Sequence, residues 1–242
     1  MEIEIMGYRV YADGINKLIP SGSKRIINTL NAYSYVTAEK DPIFKESLMR
    51  SDILLADGFP VVMAARLLKG AKIQKIAGED LFFQMVKKLN EASGSCFFLG
   101  ASESTLSKIK SRMMSEYPAI TVSTLSPPFK AEFSQEDINE MLSVINVVRP
   151  DVLFVGLTAP KQEKLVLKIY DRLNCGDICS IGAVFDFFAG TNKRPAKIWI
   201  NLRLEWLARL LKEPTRLWKR YLIYSPLFFV YLLKHLMGAK RN

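Results

Sequence analysis

Histidine is almost absent from this 242-residue chain, whose one copy is His235, near the C-terminus. A Ser-His-Asp or Cys-His nucleophile site in the body of the chain is thereby excluded, as is a histidine-based zinc site. Cysteine is scarce and odd in number (Cys96, Cys175, Cys179). Its spacing matches neither a disulfide framework nor a metal site, which points to reduced, cytoplasmic thiols. Two phosphate-binding signatures are missing: the Gly-x-x-x-x-Gly-Lys-Ser/Thr loop and the Gly-x-Gly-x-x-Gly turn. There is no Asp-x-Asp, so nothing suggests the metal clamp of many nucleotide-sugar enzymes, and a general base is expected to be a carboxylate. Long apolar runs are lacking too. Pro226–Leu233 is eight residues and Tyr221–Leu233 thirteen, against about 20 for a membrane-spanning helix. The opening "MEIEIMGYRV" carries acids where a secretory signal needs basic residues, so no signal peptide is expected.

What the chain does contain is a large apolar complement, 49% of its residues, enough to bury a sizeable core. Its net charge of +10 is unevenly placed. Residues 1–192 hold 22 basic and 22 acidic side chains, whereas residues 193–242 hold 12 basic and 2 acidic ones. The whole excess sits in the last fifty residues, which implies a basic tail with an anionic partner.

From about residue 25 to 190, short apolar runs alternate with helical patterns. The expected strands are "RIINTL" (25–30), "DILLAD" (52–57), "CFFLGA" (96–101), "AITVST" (119–124), "DVLFVGL" (151–157) and "CSIGAVF" (179–185). The expected helices cover 40–50, 60–69, 79–92, 103–116, 134–148 and 160–173. Strands alternating with helices imply an α/β fold, a Rossmann-like, mostly parallel sheet with helices on both faces. Ligands of such sheets bind beyond the carboxyl ends of the strands, where Asp57, Gly100, Gly156 and Asp186 fall. We divide the chain into a core, 1–195, and a C-terminal helical, basic and amphipathic appendage, 196–242. In the appendage, Leu202, Trp206 and Leu210 line one side of a helix flanked by Arg203, Arg209 and Lys212. A helix lying in a membrane interface, a helix packed on the core and a nucleic-acid-binding tail all carry this pattern. Aromatic residues beside lysine and arginine favour the membrane interface, and no nucleic-acid partner is expected.

Three stretches carry polar chemistry. "TLNAYS" places Thr29 and Asn31 at a strand end, 26 residues before Asp57, which ends another. Taken alone, Asp57-Gly58 reads first as a plain turn, since Asp-Gly is a common turn dipeptide, and second as a reactive acid at a pocket mouth. "GLTAPKQE" (156–163) is a glycine turn entering a helix with Lys161, Gln162 and Glu163 in its first turn, an anion site or an ordinary capped helix. In "GAVFDFFAGTNKRP", Asp186 lies among Phe185, Phe187 and Phe188, where an unpaired charge is costly. That cost calls for a buried partner, a ligand hydroxyl or backbone amides.

In order, "TLN" (29–31), "ADG" (56–58), "AGEDLF" (77–82), "FFLGAS" (97–102), "PDVLFVGLTAPKQE" (150–163), "IGAVFDFFAG" (181–190), "RP" (194–195) and "LEWLARLLKEPTRLWKRY" (204–221) resemble the WecG/TagA/CpsF family of bacterial glycosyltransferases. The likeness runs from about residue 25 to 221. It implies inverting transfer of a sugar, N-acetylmannosamine or a related hexose, from a UDP-sugar to a polyprenyl-diphosphate-linked acceptor in surface-polysaccharide or wall-polymer synthesis. It also implies that no metal or other cofactor is needed, and a peripheral site at the cytoplasmic membrane face. By this resemblance Asp57 is the catalytic base, with Thr29 and Asn31 in its pocket. Gln162 and the backbone around Gly156 serve the nucleotide-sugar, as do Gly100 and Asp186. Arg209, Arg216 and Arg220 stabilise the departing diphosphate. Lys75 stands where the family often has arginine, which keeps the charge but loses the bidentate fork. Lys219 occupies another expected arginine position. The rival readings are a nucleotide-binding enzyme of another class, such as an oxidoreductase, and a non-enzymatic membrane-associated scaffold. A homo-oligomer stays open, since a second copy also covers an apolar tail.

Overall fold

A computed structural model describes residues 1–191 and 205–239, with the side chains of Glu205, Arg209, Arg216 and Ala239 outside the description. The chain opens with an antiparallel hairpin, β1 (Glu2–Ile5) and β2 (Tyr8–Tyr11). Its two-residue turn, Met6-Gly7, has φ of 50° and 85°, the left-handed turn that matches strand twist.

Six strands then build one parallel sheet: β3 (Arg25–Leu30), β4 (Ile53–Ala56), β5 (Ser95–Gly100), β6 (Thr121–Leu125), β7 (Val152–Gly156) and β8 (Asp177–Ser180). Their order across the sheet is β4-β3-β8-β7-β5-β6. All six expected strands are present. They were readable because a parallel sheet covered on both faces needs near-continuous apolar runs. Alternate residues of β5 feed opposite cores: Phe98 joins Phe82, Phe154 and Phe185 on one face, while Phe97 joins Leu153 and Ile178 on the other.

The helices are α1 (Ala32–Ala38), α2 (Pro42–Met49), α3 (Phe59–Lys69), α4 (Gly78–Ala92), α5 (Glu103–Glu116), α6 (Gln135–Val148), α7 (Lys161–Ile169) and α8 (Val184–Phe188), then α9 (Glu205–Lys212), α10 (Pro214–Trp218) and α11 (Ser225–Ala239). A π-helical turn, Lys219–Tyr224, joins α10 to α11. Two expected elements differ. The last strand stops at Ser180, and Val184 and Phe185 start α8 instead of extending it. The helix expected over 160–173 is α-helical only to Ile169 and tightens into a 3-10 turn over Tyr170–Arg172.

The tail helix is packed on one side and bare on the other. Phe228 and Leu232 are buried in a third core with Tyr8, Tyr35 and Phe44, and Phe228 meets Tyr35 edge-on at 5.3 Å. On its outer side Phe229, Val230, Leu233 and Met237 are exposed, as are Leu222 and Ile223 of the π-helical turn before it. No helix among the described residues is long and apolar enough to cross a membrane. The division expected at 195/196 lies outside the described residues.

Candidate active site

A cavity of about 500 Å³ opens at the carboxyl edge of the sheet, over the ends of β3, β4, β7 and β8. Its first wall is set by strand register. Leu30 of β3 lies opposite Ala56 of β4, so the next residues, Asn31 and Asp57, leave the sheet side by side. The Asp57 amide donates to Leu30 O at 2.9 Å, which keeps the pairing going one step past the strands. Asn31 caps α1: Ser34 N donates to its Oδ1 at 3.0 Å, and Asn31 N donates to Ser34 Oγ at 2.7 Å. With Oδ1 committed to the helix, Asn31 Nδ2 is left for Asp57 and donates to its Oδ2 at 3.3 Å. Gly58, at φ 109° and ψ 154°, starts α3 and turns the chain sharply away behind the carboxylate. Thr29, two residues before Asn31 on the same strand face, also lines the cavity.

The second wall comes from β8 and α7. Gly182, in the left-handed region at φ 56°, donates its amide to Gln162 Oε1 at 3.1 Å. Gln162 Nε2 donates to Glu163 Oε1 at 2.8 Å. Gln162 is therefore a brace between the β8 turn and its neighbour, with its Oε1 and Nε2 each engaged. Glu163 is 3% exposed, and burial pushes its carboxyl up from 4.5 to about 7, against the smaller lowering effect of Gln162 and the Glu163 backbone amide. Ser180, the last residue of β8, is 2% exposed and lines the same floor.

The third wall is cationic. Ile76 N donates to Ala56 O at 2.9 Å, so the segment before α4 crosses the end of β4 and brings Lys75 to the rim. The π-helical turn supplies Lys219, Arg220 and Tyr224. Such turns are uncommon and favour functional positions. The Arg220 guanidinium stacks over the Tyr33 ring at 5.0 Å, and Tyr33 meets Tyr224 at 5.1 Å. These contacts tie the tail to α1 beside the Asn31 cap.

Thr29, Asn31, Asp57, Lys75, Gln162 and Arg220 thus line one cavity. Gly100, Gly156 and Asp186 do not. A Cβ at Gly100 would lie 2.6 Å from Gly156 O, and one at Gly156 would lie 2.4 Å from the Phe185 ring. Both glycines serve close packing of β5, β7 and α8. Asp186 is only half-buried and takes a hydrogen bond from Thr191 Oγ1 at 3.3 Å. The cost expected of an acid among three phenylalanines does not arise, because α8 turns Asp186 away from Phe185 and Phe188. The side chains of Arg209 and Arg216 lie outside the described residues. Glu163, Ser180 and Tyr33 also line the cavity; sequence reasoning named Glu163 only as part of the "GLTAPKQE" turn, without a role, and did not select Ser180 or Tyr33. The "QE" pair in a first helical turn was the available signal for Glu163. Among the described residues, no three His, Cys, Asp or Glu side chains converge as a metal site would require.

Comparison with known proteins identifies the family. The model of the glycosyl transferase WecG/TagA/CpsF family matches residues 1–242. A protein of Bacillus spizizenii named N-acetylglucosaminyldiphosphoundecaprenol N-acetyl-beta-D-mannosaminyltransferase is 31% identical over 209 residues, 86% of this chain and 79% of that protein. One of Bacillus subtilis with the same name is 32% identical over 197 residues, 81% of this chain and 75% of that one. These likenesses set aside the oxidoreductase and scaffold readings. A full-length family match, two relatives above 30% identity and a parallel α/β core together establish that the chain is a glycosyltransferase of the WecG/TagA/CpsF family.

Proposed function

We propose that the protein transfers N-acetylmannosamine from its UDP derivative to a polyprenyl-diphosphate-linked N-acetylglucosamine acceptor. The observation that carries this reading is the Asn31–Asp57 pair facing a cavity whose other wall is cationic. Asp57 takes the proton of the acceptor hydroxyl as that oxygen attacks the anomeric carbon. The bond from that carbon to the diphosphate oxygen breaks, with inversion. The electron pair leaves with UDP, whose growing negative charge faces Lys75, Lys219 and Arg220. These cations do the work that a metal does elsewhere. The relatives' names give the acceptor class and the transferred sugar.

The tail supplies location. A row of exposed apolar side chains on the outer side of α11, with Trp206 and Trp218 exposed nearby and Lys234 exposed beside them, suits a surface that rests on the membrane where the acceptor's lipid is anchored. On this reading the enzyme works as a peripheral protein at the cytoplasmic membrane face.

The test is a transfer assay with purified protein, a panel of UDP-sugars and a short-chain polyprenyl-diphosphate acceptor. Asp57→Asn should lower kcat by about 10²–10⁴ while UDP affinity stays within about threefold, because the base is lost and the cationic wall is intact. Normal turnover in Asp57→Asn would refute the assignment of the base.

A further inference from the structure

Five buried side-chain atoms among the described residues have no hydrogen-bond partner. Three of them, the Tyr8 hydroxyl, Asn28 Oδ1 and Thr37 Oγ1, belong to residues away from the cavity. The other two, Glu163 Oε2 and Ser180 Oγ, belong to residues that line it. The fold does not need either atom. Glu163 meets Gln162 through its other oxygen, and the chain past Ser180 is held by backbone bonds from Ile181 N to Val155 O and from Gly182 N to Gln162. Leaving a buried carboxyl oxygen and a buried hydroxyl without partners is costly. A protein keeps such atoms in a pocket when something else completes them.

The chemistry of that something is constrained. A diphosphate is repelled by a carboxylate and has its own wall of Lys75, Lys219 and Arg220. The floor at Glu163 and Ser180 therefore suits an uncharged group. Glu163 Oε2 accepts from an O–H or N–H when the carboxyl is ionised and can itself donate when it is protonated, and the Ser180 hydroxyl either donates to or accepts from an adjacent oxygen or nitrogen. Within a nucleotide-sugar, such groups occur on the nucleoside and on the transferred sugar. We propose that Glu163 and Ser180 form a donor-recognition subsite that binds a neutral hydroxyl or N–H group, and this rests on the reading of a nucleotide-sugar donor given above. The subsite fixes the donor's direction in the cavity: neutral end on the α7–β8 floor, diphosphate on the cationic wall, anomeric carbon towards Asp57. Gln162 is then a positioning residue, because it holds the Glu163 carboxyl in place.

The experiment is calorimetric titration of the full chain with UDP and with UDP-N-acetylmannosamine, using wild type, Ser180→Ala and Glu163→Ala, with folding checked by circular dichroism. Each variant should bind the UDP-sugar about tenfold more weakly, or worse, with an unchanged spectrum. Equal weakening for UDP places the contact on the nucleoside, whereas weakening confined to the UDP-sugar places it on the sugar. Wild-type affinity for both ligands in either folded variant would overturn the subsite while leaving the donor reading intact. Failure of wild-type protein to bind either ligand would overturn the donor reading, and the subsite with it. Ser180→Ala removes only one oxygen atom, so it decides the matter alone where Glu163→Ala does not fold.

Discussion

Replacing Glu163 with glutamine should flatten the pH dependence of folding stability. In the folded protein the Glu163 carboxyl titrates at about 7, against 4.5 in an unfolded chain, and burial is the chief cause. No charged side chain is among the causes of the shift, so no ion pair cancels it. The folded state holds the proton more tightly, so Glu163 stabilises most below pH 4.5, and that contribution is lost as pH rises to about 7 and beyond. The full step is about 3 kcal/mol at about 1.4 kcal/mol per pH unit. About 2.5 kcal/mol of it falls between pH 5 and pH 8 by the same linkage relation. Glutamine keeps the acceptor for Gln162 Nε2 and cannot ionise. Urea denaturation of both proteins at pH 5 and pH 8 isolates the effect, because every other titrating group cancels in the difference. The variant should gain about 2.5 kcal/mol on wild type between those values. A constant difference would refute the picture of a dry, desolvated carboxyl. A change of opposite sign would mean that a cation reaches Glu163 in solution.

Three more expectations follow from the geometry. Asn31→Asp keeps a side-chain oxygen for the α1 cap but replaces the donor facing Asp57 with a like charge. Stability should change by less than about 1 kcal/mol, while the acid limb of the kcat/KM profile moves to higher pH, because a neighbouring carboxylate disfavours the ionised base. Gly156→Ala drives a methyl group into the Phe185 ring and should cost about 1–3 kcal/mol, read as a lower urea midpoint. Phe229→Ser with Leu233→Ser should weaken flotation with anionic vesicles without lowering Tm, since both side chains are exposed. Unchanged flotation, with a loss of dimer in sedimentation, would assign that face to a second copy instead.

The six sheet strands were legible because each is an apolar run that burial on both faces demands. The hairpin was not, because its turn is Met6-Gly7 rather than the Asn-Gly or Asp-Gly pair that marks such turns. Helix α1 was hidden by its composition: "AYSYVTA" is rich in aromatic and β-branched residues, which favour strands. It forms because Asn31 and Ser34 cap it and because Tyr35 and Val36 are buried against the tail side. In the site, Thr29, Asn31, Asp57 and Lys75 were readable from strand ends and motif order. Glu163 was not, because an acid in a first helical turn ordinarily complements the helix dipole in water. Only the packed structure shows it dry. Asp186 is the converse case, an acid in an apolar run that reads as buried and is half-exposed.

The core that unites Tyr8, Tyr35 and Phe44 with Phe228 and Leu232 has a consequence for synthesis. A ribosome releases the hairpin, α1 and α2 long before it reaches the helix that covers them. Until then that apolar face is open, and so is the candidate cavity, which lacks Lys219, Arg220 and Tyr224. Every described strand of the sheet is made by Ser180, but the cavity's cationic wall and the cover of that core come only with the π-helical turn and α11. Nascent chains stalled short of α11 should therefore expose this apolar face, the kind of surface that drives aggregation and chaperone binding.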